Sequence, residues 1–224
     1  MPTILESIIV EPKEAPVAAV IWLHGLGSNG HDFVPAIEAL ALADKHKIRF
    51  ILPHAPVQPV TVNAGMMMRA WYDINSLDRE LHKQDAEGIH KSYEAVSLLI
   101  DQQIAAGIPS NKIIIAGFSQ GGAIALYTGL CYGYTLAGII GLSTYLPVSE
   151  IITQQKHSSN ATTPVLMIHG THDDVIPLRD AEDSKDALLA MNCAVTWQTY
   201  TMGHSVCPQE LFLIMQWLEE RLLG

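Results

Sequence analysis

An apolar, β-branched run, Ile113-Ile114-Ile115, ends in Gly117-Phe118-Ser119-Gln120-Gly121 and leads into the small-residue stretch Gly122-Ala123-Ile124-Ala125. The pattern G-x-S-x-G suits a nucleophile held up on a tight strand-to-helix turn. A serine at a helix start can also be a plain N-cap. Capping explains the serine but not a glycine two residues to either side, so Ser119 is read as the nucleophile. Its hydroxyl needs a base, and the base needs an acid to fix its tautomer, in the chain order nucleophile, acid, histidine. Of ten histidines only His204 lies beyond Lys185. It sits in Thr201–Val206, between the last strand pattern and the last helix pattern. The acid should precede it, and Met167–Pro177 offers Asp173 and Asp174. Neighbouring side chains point apart, so one of the two faces His204; composition does not choose between them. The other caps the helix near Leu178 or is solvated. His169 and His172 lie nearby without metal-ligand spacing, so no metal is expected. Charge developing on the substrate oxygen requires fixed donors. Gln120 supplies one backbone N–H, and Leu26, in the glycine-bearing loop Trp22–Phe33, supplies the other. Glycines 25, 27 and 30 also fit a dinucleotide pattern. That reading ranks below, because around residue 50, where an acidic residue would be needed, the chain reads IRFILPHAP.

These residues must be positioned by elements. Val17–Leu23, Ile48–Pro53, Lys112–Phe118, Ala137–Ser143 and Pro164–Gly170 read as short buried strands, and Ala194–Tyr200 as a sixth nearer an edge. Helical patterns occupy Asp32–Asp44, Asp85–Ala106, Gln120–Leu130, Leu178–Met191 and Pro208–Leu222. The alternation predicts an α/β fold with a mostly parallel central sheet and helices on both faces, its ligand site beyond the strands' carboxyl ends. From Pro53 to Gln84 no element is expected. A loop of that length serves as a lid or binding loop, or covers a satellite apolar cluster.

The chain has 224 residues, which fits one domain. A net charge of −10 speaks against nucleic acid and against docking on anionic lipid. Cys131, Cys193 and Cys207 suggest neither disulfides nor zinc. The start lacks a basic-then-apolar leader and no apolar run is of spanning length, so a cytoplasmic protein without stable membrane insertion is expected.

With these residues in place, the chain resembles the phospholipase/carboxylesterase family of α/β hydrolases, which includes acyl-protein thioesterases and small bacterial carboxylesterases. The motifs IWLHGLG, PHAPVQPVT, AWYDI, AGFSQGGA, LSTYLP, HGTHDDVIP and GHS carry the resemblance over nearly the whole chain. It implies an α/β-hydrolase fold, Ser119 as nucleophile, His204 as base, and Leu26 and Gln120 as oxyanion donors. Its H-G-x-x-D signature selects Asp173. The chain departs from many relatives at Ser28-Asn29, where an acidic residue is common, and in its Met66–Met68 run. The expected activity is a serine carboxylesterase acting on short-to-medium acyl esters or thioesters, with acylated proteins or lysolipids as further candidates. No cofactor is implied. Met66, Met67, Met68, Trp71, Tyr145, Leu146 and Ile176 are expected to line an acyl groove, and a second copy could cap the apolar loops as a homodimer. The alternative from another class is a non-catalytic ligand-binding protein on the same fold.

Overall fold

The computed structural model describes residues 4–76 and 84–223. Strands β2 (Ala18–Leu23), β3 (Ile48–Pro53), β6 (Ile113–Phe118), β7 (Gly138–Leu142) and β8 (Val165–Gly170) are almost wholly buried, which is why their sequences read as unbroken apolar runs. With β1 (Ser7–Val10) and β9 (Val195–Tyr200) they form a seven-stranded sheet in the order β1-β3-β2-β6-β7-β8-β9. Only β1, paired to β3, runs antiparallel. The chain builds outward from β2 to β3 and then returns to the other side of β2 with β6. That reversal opens a crevice between the carboxyl ends of β2 and β6, the usual ligand position in such sheets.

Helices α3 (Ala86–Ala105), α4 (Gln120–Cys131) and α6 (Leu178–Ala190) lie on one face; α1 (Val34–Leu40), α2 (Leu42–His46) and α7 (Pro208–Leu223) lie on the other. All twelve residues of α4 are buried, so its pattern is apolar all round rather than amphipathic. The segment expected as one helix over 32–44 is two, broken at Ala41 with φ 50°. On a straight helix Ile37 and Leu42 would point about 140° apart. The break lets both enter the same core cluster.

Four elements went unanticipated. Strand β1 exists through its pairing to β3, Ser7 opposite Pro53, rather than through any strong local pattern. Helix α5 (Ser149–Gln155) is a single short stretch of two turns. The segment from Pro53, expected to lack elements, holds an antiparallel hairpin, β4 (Val57–Val60) with β5 (Met66–Arg69). Pro59 within β4 obscured it, since proline is tolerated only on strands free of a second neighbour. Asp73 clamps the hairpin's far end, accepting from Thr61 N at 2.7 Å and from Thr61 Oγ1 at 2.6 Å. The end of that segment, residues 77–83, lies outside the described residues.

Candidate active site

Ser119 sits between β6 and α4 with φ 54° and ψ −122°, a conformation most side chains avoid. Hydrogen bonds on both sides hold it: its N–H donates to Leu142 O at 2.9 Å, and its carbonyl accepts from Thr144 Oγ1 at 2.7 Å. The flanking glycines have a steric cause. A Cβ on Gly117 would stand 2.3 Å from Gly121 O, and one on Gly121 would stand 2.4 Å from His24 O. Ser119 does occupy the N-cap position, yet its side chain makes no capping bond. Its Oγ lies 2.9 Å from His204 Nε2 instead.

His204 follows β9, and its Nδ1 lies 2.8 Å from Asp173 Oδ2 in the loop after β8. A carboxylate only accepts, so Nδ1 carries the proton and Nε2 is left to accept from the serine hydroxyl. The Asp173 carboxylate is fully buried, and its Oδ1 accepts from Val175 N at 3.0 Å and Ile176 N at 2.8 Å. Asp174 is exposed, and the N-cap of α6 is Pro177 without a side-chain bond, so Asp174 is solvated rather than a cap. His169 is buried behind the acid: its Nε2 donates to Ile176 O at 2.9 Å and stands 3.5 Å from Asp173 Oδ2. His172 is exposed, and no metal-binding cluster occurs among the described residues.

Leu26, Gln120, Ser119 and His204 all face one cleft of ≈ 770 Å³. As first residue of α4, Gln120 has an N–H without an intrahelical partner. The loop bearing Leu26 is held by His24, whose Nε2 accepts from Ala55 N at 3.0 Å. Its Nδ1 must then be the protonated nitrogen, donating to Gly25 O at 2.7 Å. Burial pushes the His24 pKa down to about 4, which keeps the ring neutral.

Tyr145, Leu146 and Ile176 line the cleft. Met66, Met67, Met68 and Trp71 do not. Met66 and Met67, 64% and 60% exposed, stand on β5 of the hairpin, while Met68 Sδ turns to Asn63 Nδ2 at 3.2 Å. Trp71 is buried, its Nε1 donating to His24 O at 2.8 Å. The apolar wall is supplied by Val62, Ile74, Tyr72 and Val175, which the sequence reading passed over. The composition of segment 53–76 pointed to an apolar contribution. Which of its residues turn inward depends on the hairpin. Also missed were His24, Thr144 and the side chain of Gln120; the one local signal was the position of His24 directly before Gly25.

A family model described as phospholipase/carboxylesterase matches residues 5–222. Acyl-protein thioesterase 1 of Cryptococcus neoformans is 37% identical over 99% of this chain and 100% of its own length. The protein of that name from Yarrowia lipolytica is 39% identical over 96% and 97%. Among solved structures, Zea mays acyl-protein thioesterase 2 aligns with a TM-score of 0.86 at 31% identity, covering 97% of this chain and 99% of that one. These likenesses and the sheet order make the fold that of the α/β hydrolases, and the activity that of a serine hydrolase of esters or thioesters. The reading as a non-catalytic binding protein is thereby set aside. The chain belongs to the phospholipase/carboxylesterase family.

Proposed function

We propose that the reaction runs through an acyl-enzyme on Ser119, with His204 as base, Asp173 as its orienting acid, and the backbone N–H groups of Leu26 and Gln120 as oxyanion donors. The observation that carries this reading is the continuous relay at the cleft: Ser119 Oγ to His204 Nε2 at 2.9 Å, and His204 Nδ1 to Asp173 Oδ2 at 2.8 Å. His204 Nε2 takes the hydroxyl proton as Oγ attacks the acyl carbonyl, and the imidazolium that forms is stabilised by the buried carboxylate. Charge on the carbonyl oxygen meets the two N–H groups. The imidazolium then protonates the leaving alcohol or thiol. Water, deprotonated by the same ring, releases the acid.

The acyl chain is assigned to the wall formed by Leu26, Val62, Tyr72, Ile74, Leu146 and Ile176, which would desolvate an alkyl chain. We extend the reading to acyl groups carried on protein thiols, as in the relatives named acyl-protein thioesterase 1. Lysolipids are the competing substrates, since they present the same acyl chain on a different leaving group. The test is a matched panel of p-nitrophenyl esters, S-acyl peptides and lysophospholipids of graded chain length, run beside Ser119→Ala. S-acyl peptides should give the highest kcat/KM, with every activity lost in the variant. Higher kcat/KM on lysolipids would reject the protein-thioester assignment, and turnover surviving in Ser119→Ala would reject the acyl-enzyme.

A further inference from the structure

The two proposed oxyanion donors sit on elements that no covalent connection keeps in register: Leu26 on the loop after β2, and Gln120 at the start of α4. Close packing limits how near they can come, because Gly121 already touches the His24 carbonyl, where even a Cβ would be at 2.4 Å. The β2–β6 ladder ties the strands as far as Leu23 and Gly117, but beyond it packing alone does not stop the two donors from moving apart.

The segment Arg69–Tyr72 spans the gap. Arg69 O accepts from Gly27 N at 2.8 Å, beside one donor. Trp71 Nε1 donates to His24 O at 2.8 Å on the same loop. Toward the other donor, Trp71 N donates to Gln120 Oε1 at 2.8 Å, and Gln120 Nε2 donates to Tyr72 O at 2.8 Å. Both polar atoms of the Gln120 side chain therefore have a partner on this segment. Gln120 and Trp71 are each 2% exposed, so these bonds are shielded from competing water. The Trp71 carbonyl is itself fixed by Ser92 Oγ.

We propose that Trp71 is a positioning residue that, with the Gln120 side chain, sets the separation of the oxyanion donors without touching substrate. This rests on the oxyanion assignment made above. A hole widened by a fraction of an ångström still binds the planar ground state but grips the tetrahedral one less well. The brace should therefore appear in kcat and not in KM.

The test uses Trp71→Phe, Gln120→Ala and the double variant in the full chain, with phenylboronic acid as a tetrahedral mimic on Ser119. Gln120→Ala keeps the backbone donor and removes only the brace. Each single variant should lose about tenfold to a hundredfold in kcat, part of the ~10²–10³ that deleting a donor costs, with KM changed less than about threefold. The boronate inhibition constant should weaken by the same factor as kcat. The double variant should lose no more than the worse single, since both cut one brace. Trp217→Phe is the control: that indole is buried and its N–H has no partner among the described residues, so it should lose thermal stability while keeping kcat within about twofold. Native kcat in Trp71→Phe and Gln120→Ala, losses that multiply in the double, or kcat falling with boronate affinity unchanged would each overturn the brace. If Trp71→Phe does not fold, Gln120→Ala alone decides by the same criteria. Should Ser119→Ala still turn over, the underlying acyl-enzyme reading has failed; if it is inactive while both brace variants are native, only the brace has failed.

Discussion

The two halves of the site are built differently. The proton-relay half joins three side chains from the loops after β6, β8 and β9, each bonded directly to the next. The half proposed to hold the oxyanion would offer substrate only backbone N–H groups, and the side chains proposed to hold them, His24, Trp71 and Gln120, bond to backbone around the cleft. In the first half chemistry and support reside in the same residues. In the second they are separated, so substitutions there should be graded rather than absolute.

The largest effects are expected in the relay. Ser119→Ala should lower kcat by roughly 10⁴–10⁶ while leaving the thermal transition in place, read by ester hydrolysis and calorimetry. Asp173→Asn keeps the shape but lets the His204 ring settle in the wrong tautomer, and should cost ~10⁴ in kcat. A loss below tenfold in Asp173→Asn would mean that His169 or a backbone group already orients the base, and the contrast between the halves would collapse.

Two buried groups outside the proton relay should respond to pH with opposite sign. The folded value for His24, about 4, lies below its ordinary 6.5, so the unfolded chain binds the extra proton between them. Its contribution is whole above pH 6.5 and is lost as pH falls toward 4. The buried His54 ring, lowered in the same direction by desolvation, adds to that loss. Glu210, in the first turn of α7 just beyond His204, is fully buried; its Oε2 accepts from Cys207 N at 3.3 Å and its Oε1 has no partner among the described residues. Burial pushes its carboxyl up to about 8, so between 4.5 and 8 the folded chain holds the extra proton. Stability from that source is whole below 4.5 and lost as pH rises to 8. Denaturant titrations across pH should show His24→Gln flattening the acid limb, and Glu210→Gln flattening the decline toward pH 8. Unchanged slopes in both would contradict the assigned environments.

The difference between the halves also explains what the sequence made legible. Ser119, His204 and the Asp173–Asp174 pair stood out because the roles proposed for them need particular residue types in a fixed chain order. The buried parallel strands stood out because burial on both faces leaves an apolar run. His24 and the Gln120 side chain did not, and Trp71 was expected in the acyl groove instead, because a residue that hydrogen-bonds to backbone is marked by where the chain passes, which only the folded sheet decides. The methionines illustrate the same point: composition indicated an apolar segment, but the pairing of β4 with β5 turned Met66 and Met67 outward. The smallest expected effect follows. Met66→Ser with Met67→Ser should change kcat/KM for acyl esters by less than about twofold at every chain length, because neither residue lines the cleft. A selective loss on long chains would return them to the acyl path.

The most direct measurement is rapid acid quench of the protein during turnover of an activated ester, followed by peptide mass analysis. A peptide containing Ser119 should be heavier by the mass of one acyl group, accumulating before steady state and absent in Ser119→Ala. An acyl group on any other residue, or none at a time when the product burst is complete, would contradict the acyl-enzyme on Ser119.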